Sequence, residues 1–202
     1  PDLLPVMISD AEIEEIKATF PEMPKDKFIR YQSEFNIPEN DAQIISSSKN
    51  LATFFEGCME DAKDAKLLSN IIIGDISSLL NKENIEITDS KLSTKNVSEL
   101  VNLVTEGVIT GKIAKTVLEE TWDSGLSPIE IVESSGLKQI DDDDEIERII
   151  DQIISEHPDQ VTAYKGGKDK LFGFFVGQIM KATQGKANPA SANKILKDKL
   201  DN

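Results

Sequence analysis

Hydrophobic residues recur at steps of three and four positions along almost the whole chain, which is the spacing of one helix face. Over residues 66–80 this spacing predicts a long, buried helix, and five isoleucines within residues 146–154 form a second apolar stripe. The polar segment 81–93 separates two helical regions, although Ile85 and Ile87 leave room for a short extended piece. The pattern predicts an all-α fold.

Several helix boundaries can be read directly from capping residues. Ser9 and Glu12 have the spacing of a capping box, in which the hydroxyl and the carboxylate each satisfy a free backbone N–H. Residues 127–136 carry a serine N-cap, a proline at the first helical position, a glutamate at the third and a glycine after the end. Asn96 is the predicted N-cap of a helix that runs to Glu106.

Four consecutive aspartates at 141–144 mark a break in composition just before the isoleucine stripe. Anionic side chains are favoured at a helix N-terminus because of the helix dipole. A calcium loop of the EF-hand type would instead alternate its ligands and need a central glycine. We therefore predict two consecutive small helical domains, a helical bundle over 1–138 and a tail domain of three to four helices over 139–202.

Length and composition place the chain among ordinary globular proteins. It has 202 residues, of which 39% are hydrophobic and 29% are charged. The single cysteine, Cys58, cannot form an internal disulfide, and no apolar signal peptide precedes it, which predicts a reducing, cytoplasmic compartment. No run of about 18 apolar residues suggests a membrane span. The opening residues PDLLPV have the composition of a linker inside a longer protein.

Residue types that perform catalysis are scarce. The one histidine, His157, and Cys58 are about a hundred residues apart, so they do not form a zinc or catalytic pair. His157 precedes a proline at a helix end, where a structural role is expected. No Walker loop, nucleophile elbow or dinucleotide fingerprint occurs. The residues alone therefore indicate a chain that is not catalytic by itself.

Charge is distributed very unevenly in this protein, whose net charge is −15. Residues 160–202 contain eight lysines and three aspartates, a net charge of +5, whereas residues 1–159 contain 14 basic and 34 acidic side chains, a net charge of −20. Lysines neutralise phosphates without reading bases. The basic end of an acidic chain is therefore a candidate RNA-binding surface, although a charge run is more often a solvated face.

Two glycines in the basic end, Gly173 and Gly177, lie four residues apart on one face of an apolar helix. Glycine at this spacing allows two backbones to approach closely. One interpretation is close helix–helix packing. The other is that a phosphodiester backbone approaches the bare helix surface beside Lys181 and Lys186.

Long motifs throughout the chain resemble one protein family. YKGGKDKLFGFFVGQIMKATQGKANP (164–189) is similar to the C-terminal tail of the B-type subunit of the bacterial aspartyl/glutamyl-tRNA(Asn/Gln) amidotransferases, a version of which occurs in YqeY-like proteins. LLNKENI (79–85), GVITGKIAK (107–115) and SPIEIVESSGLKQI (127–140) resemble the same subunit, in the same order. PDLLPV (1–6) resembles the exit from its catalytic cradle domain and favours the subunit over a stand-alone YqeY-like protein.

The resemblance implies a role in an enzyme complex. Such complexes convert Glu-tRNA(Gln) or Asp-tRNA(Asn) into Gln-tRNA(Gln) or Asn-tRNA(Asn), with ammonia that the A-type subunit releases from glutamine. ATP and Mg²⁺ act in the cradle domain, so no cofactor is expected in these 202 residues. The expected partners are tRNA(Gln) or tRNA(Asn) and subunits A and C in a heterotrimer, without DNA or membrane. The helical and tail domains are expected to hold the tRNA body and to be non-catalytic alone.

The expected tRNA contacts lie in the basic tail. The lysines expected to contact phosphates are Lys165, Lys168, Lys170, Lys181 and Lys186. The glycines at which the tRNA backbone is expected to approach are Gly173, Gly177 and Gly185.

Two other interpretations stay open at this point. In one, the chain is a protein-interaction module whose acidic helical body docks partner subunits, and the lysines only keep the tail soluble. In the other, it is a stand-alone YqeY-like protein.

Overall fold

The computed structural model describes residues 8–140 and 142–201, and within these ranges the chain forms helices and no β-strand. The all-α prediction is therefore confirmed, whereas PDLLPV and Asp141 lie outside the described residues. The helices are α1 (Asp10–Ala18), α2 (Pro24–Phe35), α3 (Glu39–Ser47), α4 (Lys49–Met59), α5 (Ala65–Asn70), α6 (Ser77–Glu83), α7 (Thr94–Thr105), α8 (Gly111–Ser124), α9 (Pro128–Ser134), α10 (Asp143–Glu156), α11 (Pro158–Lys165), α12 (Leu171–Ala182) and α13 (Pro189–Asp201).

Both predicted capping boxes are confirmed. At the start of α1, the Glu12 carboxylate accepts from the Ser9 amide at 2.8 Å, and the Ser9 hydroxyl accepts from the Glu12 amide at 3.3 Å. The same reciprocal bonds open α9. The prediction for α7 is wrong by about one turn, because Ser93 is the N-cap and its hydroxyl accepts from the Asn96 amide at 3.1 Å. Asn96 therefore lies inside the first turn of the helix.

The long helix predicted over residues 66–80 is interrupted. A π-helical segment, Ile71–Ile76, lies between α5 and α6. Three consecutive β-branched isoleucines and Gly74 lower α-helical propensity here, and the Ser77 hydroxyl bonds the Ile72 carbonyl at 2.8 Å across the wider turn. After α6 the chain makes a short 3₁₀ turn, Ile87–Asp89, where the sequence had left room for an extended piece.

Two separate hydrophobic clusters fill the structure. The first, built around Tyr31, Phe55 and Leu68, collects side chains from α2 to α9. The second, built around Ile150 and Phe175, is formed where α10 packs against α12 and α13. The clusters share no residue. The division after residue 138 stays a prediction.

The two parts meet through the segment that joins them. Gln139 donates its amide hydrogen to the Val108 carbonyl at 2.8 Å, on the side of the helical body. The next residue, Ile140, donates to the Lys186 carbonyl at 2.7 Å and accepts from the Asn188 amide at 3.3 Å. Gln139 and Ile140 are thus hydrogen-bonded to both parts. We call the region around these two residues, where the helical body meets the tail, the junction.

The division into two domains can be tested by limited proteolysis. Asp142, Asp143 and Asp144 are exposed and lie between the two clusters. We expect a protease that cleaves beside acidic residues to cut near 141–144 first. Because each part has its own hydrophobic core, the two fragments should keep the circular dichroism spectrum of helices. A chain that resists cleavage there, or fragments that unfold, would contradict the division.

Candidate nucleic-acid interface

Three of the expected lysines lie on one short turn. Lys165 ends α11, and Lys168 and Lys170 stand in the connection that leads into α12; all three are exposed. Gly167 has a φ of +94°, and its amide bonds the Tyr164 carbonyl at 2.8 Å, so the chain reverses within a few residues. We call Lys165, Lys168 and Lys170 the basic turn.

The other two expected lysines lie at the opposite end of α12. Lys181 is exposed in the last turn of the helix, and Lys186 is half-buried in the loop that follows. A helix of 12 residues is roughly 18 Å long. The structure therefore brings the five lysines together as two groups at the two ends of one helix, and not as one cluster.

One face of α12 between the two groups is bare. Gly173, Gly177 and Lys181 follow each other at four-residue steps, and all three are exposed. A Cβ atom added to either glycine would meet nothing within 4 Å. No other helix of the described chain packs on this glycine face, so the interpretation of close helix–helix packing is wrong within these residues. The buried face of α12 carries Phe175 and Ile179 instead.

The five lysines have no acidic partner within the described residues, where none of them makes an ion pair. Lys199 of the same domain shows the contrast. Its ammonium group bonds Asp151 and Glu147 of α10, and these hydrogen bonds raise the pKa of Lys199. In a chain with 37 acidic side chains, the lysines at the two ends of the glycine face thus make no ion pair within the described residues.

Gly185 has a different environment from the other two glycines. It is buried at the junction with a φ of +80°, and its carbonyl accepts a hydrogen bond from the Thr110 hydroxyl at 2.8 Å. A Cβ atom on Gly185 would lie 3.0 Å from the side chain of Lys112. Both the backbone angle and this contact favour glycine, so the structure gives Gly185 a role between the two parts; an RNA contact at Gly185 stays a prediction.

Thr110 and Lys112 are the junction residues that sequence reasoning missed. A signal for them existed, because Gly111-Lys112 repeats the Gly-Lys dipeptide found at 167–168 and 185–186. In the sequence this dipeptide lies in the acidic part of the chain, and only the fold brings it to the basic end.

His157 and Cys58 occupy structural positions. The Nδ1 atom of His157 lies 2.9 Å from the Ile153 carbonyl, and its ring makes an edge contact with Phe174 at 5.2 Å. Cys58 is fully buried, and burial raises its pKa to about 12, so the thiolate that nucleophilic chemistry needs is scarce at neutral pH. The described ranges contain no group of three side chains placed to hold a metal ion.

No helix within residues 8–140 and 142–201 has the length and apolar character needed to cross a membrane.

Comparison with known proteins identifies the family. The sequence model of the GatB domain matches residues 53–200. The B-type subunit of the aspartyl/glutamyl-tRNA(Asn/Gln) amidotransferase of Geotalea daltonii is 44% identical over 200 residues, and that of Thermoanaerobacter sp. (strain X514) is 47% identical; each alignment covers 99% of this chain and 42% of the relative. The corresponding subunit of Rickettsia felis is 45% identical over 201 residues, with 100% and 41% covered.

The chain thus spans about two fifths of the length of the curated relatives that it matches. The resemblance seen in the motifs is confirmed, because the family model covers most of the chain and the relatives align along nearly all of it. The chain belongs to the GatB domain family.

Proposed function

We propose that this chain is the tRNA-binding part of a B-type amidotransferase subunit, which holds Glu-tRNA(Gln) or Asp-tRNA(Asn) while the misacylated amino acid is amidated. The observation that carries the proposal is the exposed glycine face of α12, with unpaired lysines at both of its ends. In this proposal the chain binds and positions tRNA and performs no chemical step.

The geometry suits recognition of an RNA backbone. A-form RNA is recognised largely through its shape and its phosphate and 2′-OH groups. The helix between the two lysine groups is roughly 18 Å long, so the groups can contact phosphates several nucleotides apart. The bare backbone at Gly173 and Gly177 allows the ribose-phosphate chain to lie close to the helix between them.

The activity of the complete complex is part of the same proposal. The complex is an ATP-dependent, glutamine-hydrolysing carbon–nitrogen ligase in the cytoplasm. The A-type subunit supplies ammonia, and ATP and Mg²⁺ act in the cradle domain, which we expect outside these 202 residues. Subunits A and C are the protein partners.

Neutralising one lysine of each group tests the tRNA interface. We expect Lys168→Gln and Lys181→Gln to weaken binding of tRNA(Gln) or tRNA(Asn) to the complete amidotransferase. Each variant should also reduce the slope of log affinity against log salt by about 1. A complex with one phosphate contact fewer releases fewer counterions from the RNA when it forms. The measurement is a salt titration of affinity.

Lys82→Gln is the matched control for this titration. Lys82 is an exposed lysine in the last turn of a helix, as Lys181 is, but it belongs to α6 of the helical body. Its affinity and salt slope should match those of the unaltered protein. Tail variants that behave like the control would overturn the tRNA-binding proposal.

Alanine on the glycine face separates binding from stability. Because an added Cβ meets nothing at Gly173 or Gly177, each Gly→Ala change should stabilise the isolated chain by about 0.5–1 kcal/mol. If the tRNA backbone approaches this face closely, the double variant should nevertheless bind tRNA more weakly. Urea denaturation and tRNA affinity are measured on the same samples.

Gly74→Ala is the control for the glycine experiment. Gly74 is also an exposed helical glycine with open space around it, but it lies in the helical body. This variant should gain stability without losing affinity. A stabilised Gly173→Ala/Gly177→Ala variant with unchanged affinity would show that tRNA does not approach the glycine face.

A second function, docking of partner subunits, is favoured by a different surface. Nine large hydrophobic side chains are more than a third exposed in the described residues, and seven of them lie between residues 8 and 44. Helix α1 buries none of its residues. The seven side chains, which we call the N-terminal apolar surface, are Ile8, Ile13, Ile16, Phe20, Met23, Ile29 and Ile44. Subunits A and C are the partners that we propose for it.

Polar substitution on the N-terminal apolar surface tests this docking function. Ile16 and Phe20 are 54% and 63% exposed, so Ile16→Gln/Phe20→Gln should leave folding and tRNA affinity of the isolated chain unchanged. We expect it to reduce assembly with subunits A and C, measured by calorimetry or size-exclusion chromatography. The matched control is Leu126→Gln/Ile129→Gln, which alters the two large exposed hydrophobic side chains that lie outside this surface in the described part of the chain. Equal assembly of both variants would argue against docking there.

A further inference from the structure

Lys112 belongs to the helical body in sequence but lies against the tail in space. It is the second residue of α8, and the aliphatic stem of its side chain covers Gly185. The Cδ atom of Lys112 is 3.0 Å, and its Nζ atom 3.6 Å, from the position that a Cβ atom of Gly185 would occupy. The side chain of Lys112 therefore lies in close contact with the bare backbone of Gly185, and a side chain at Gly185 would require it to shift by a few tenths of an ångström.

The surrounding hydrogen bonds hold this arrangement. The buried Thr110 hydroxyl donates to the Gly185 carbonyl at 2.8 Å and also accepts from the Ile113 amide as the N-cap of α8. On the other side of the loop, the Ile140 amide donates to the Lys186 carbonyl at 2.7 Å. The loop that carries Lys186 is thus bonded to the start of the helix that carries Lys112.

The charge on Lys112 has no partner within the described residues. Lys112 is exposed and makes no ion pair there, although the first 159 residues carry 34 acidic side chains. Lys115, three residues further along the same helix, reaches Asp75 at 3.5 Å. The fold therefore brings an unpaired lysine from the acidic body to the loop that carries another unpaired lysine, Lys186.

Bare backbone lies beside this lysine as well. Gly111 is exposed, and a Cβ atom added to it would meet nothing within 4 Å. An anionic chain could therefore approach Lys112 without steric hindrance from the preceding residue.

We propose that the junction is a phosphate-contacting surface built by both parts of the chain, with Lys112 of the helical body and Lys186 of the tail binding the phosphodiester backbone of the same RNA. This inference rests on the proposed tRNA-binding function and extends the interface from the glycine face of α12 onto α8. Two lysines from positions 74 residues apart, both without acidic partners, fit a polyanion better than a neutral or cationic ligand.

Binding across the junction has a structural consequence. The two parts have separate hydrophobic clusters and meet through a small hydrogen-bonded region, so some relative motion is expected without ligand. An RNA backbone held by both Lys112 and Lys186 favours the arrangement in which the two parts are in contact at the junction. Only that arrangement brings Lys112 to the loop that carries Lys186.

The first test measures tRNA affinity of the complete amidotransferase carrying Lys112→Gln. We expect roughly a fivefold loss of affinity at ~0.15 M salt and a salt slope smaller by about 1, as for one lost phosphate contact. Lys112→Arg should keep most of the affinity. Lys115→Gln is the matched control, since it removes a lysine of the same helix that already pairs with Asp75, and it should leave affinity and slope unchanged.

The second test needs no variant. Acetylation of lysine amines by a water-soluble reagent, followed by mass spectrometry, should show Lys112 and Lys186 protected by bound tRNA and Lys82 equally reactive with and without tRNA. Because the protein is unaltered, this readout is independent of any folding defect in a variant.

The outcomes separate this inference from the proposed function. If Lys168→Gln and Lys181→Gln weaken binding while Lys112→Gln does not and Lys112 stays reactive, the junction surface is refuted and tRNA binding by the tail stands. If none of these variants alters affinity, both are refuted. Loss of affinity and of salt slope in Lys112→Gln, with protection of Lys112, supports the junction surface.

Discussion

The burial of one face of α12 determines what the tail can present to a partner. Phe175 and Ile179 are fully buried in the second cluster, and burying such side chains contributes about 1.5–3 kcal/mol each. Because residues four apart share a helix face, this packing leaves Gly173, Gly177 and Lys181 on the opposite, exposed side. Rotating the helix would bury a charged lysine and expose two large apolar groups. The packing that folds the tail therefore also builds its outer surface.

The two glycines of that outer surface lower the stability of the helix. Glycine in an exposed helix interior costs about 0.8–1 kcal/mol relative to alanine, and at Gly173 and Gly177 neither a close neighbour nor a positive φ requires it. Gly185 is the contrast, because its φ of +80° favours glycine and an added Cβ atom would lie 3.0 Å from the Lys112 side chain. Local rules broken without an internal reason tend to mark functional surfaces, which is why the glycine face carries more weight than the lysines alone.

Features that depend on neighbouring residues were predictable from sequence, whereas long-range contacts were not. The capping boxes of α1 and α9 follow from spacings of three residues. The start of α7 was missed because serine and asparagine are both good caps, and the π-helical segment because its apolar spacing resembles that of an α-helix. The contact of Lys112 with Gly185 joins residues 73 positions apart. Hydrophobic periodicity carries no information about such a contact. The repeated Gly-Lys dipeptide can be seen in the sequence, but only the fold shows that two of its copies lie next to each other.

The uneven distribution of charge along the chain would favour selective rather than general binding of RNA. A net charge of −20 on residues 1–159 repels phosphates over the helical body and the first helix of the tail, whereas the net charge of +5 on residues 160–202 attracts them. At physiological salt such forces fade over about 8 Å, so the position of each lysine matters more than the total charge. Lys112 is positive within an acidic part, but it lies at the junction beside the tail loop. An RNA that contacts both the tail and Lys112 therefore has few allowed orientations, since any large rotation brings its phosphates against acidic surface, and electrostatic complementarity of this kind contributes to specificity more than to affinity.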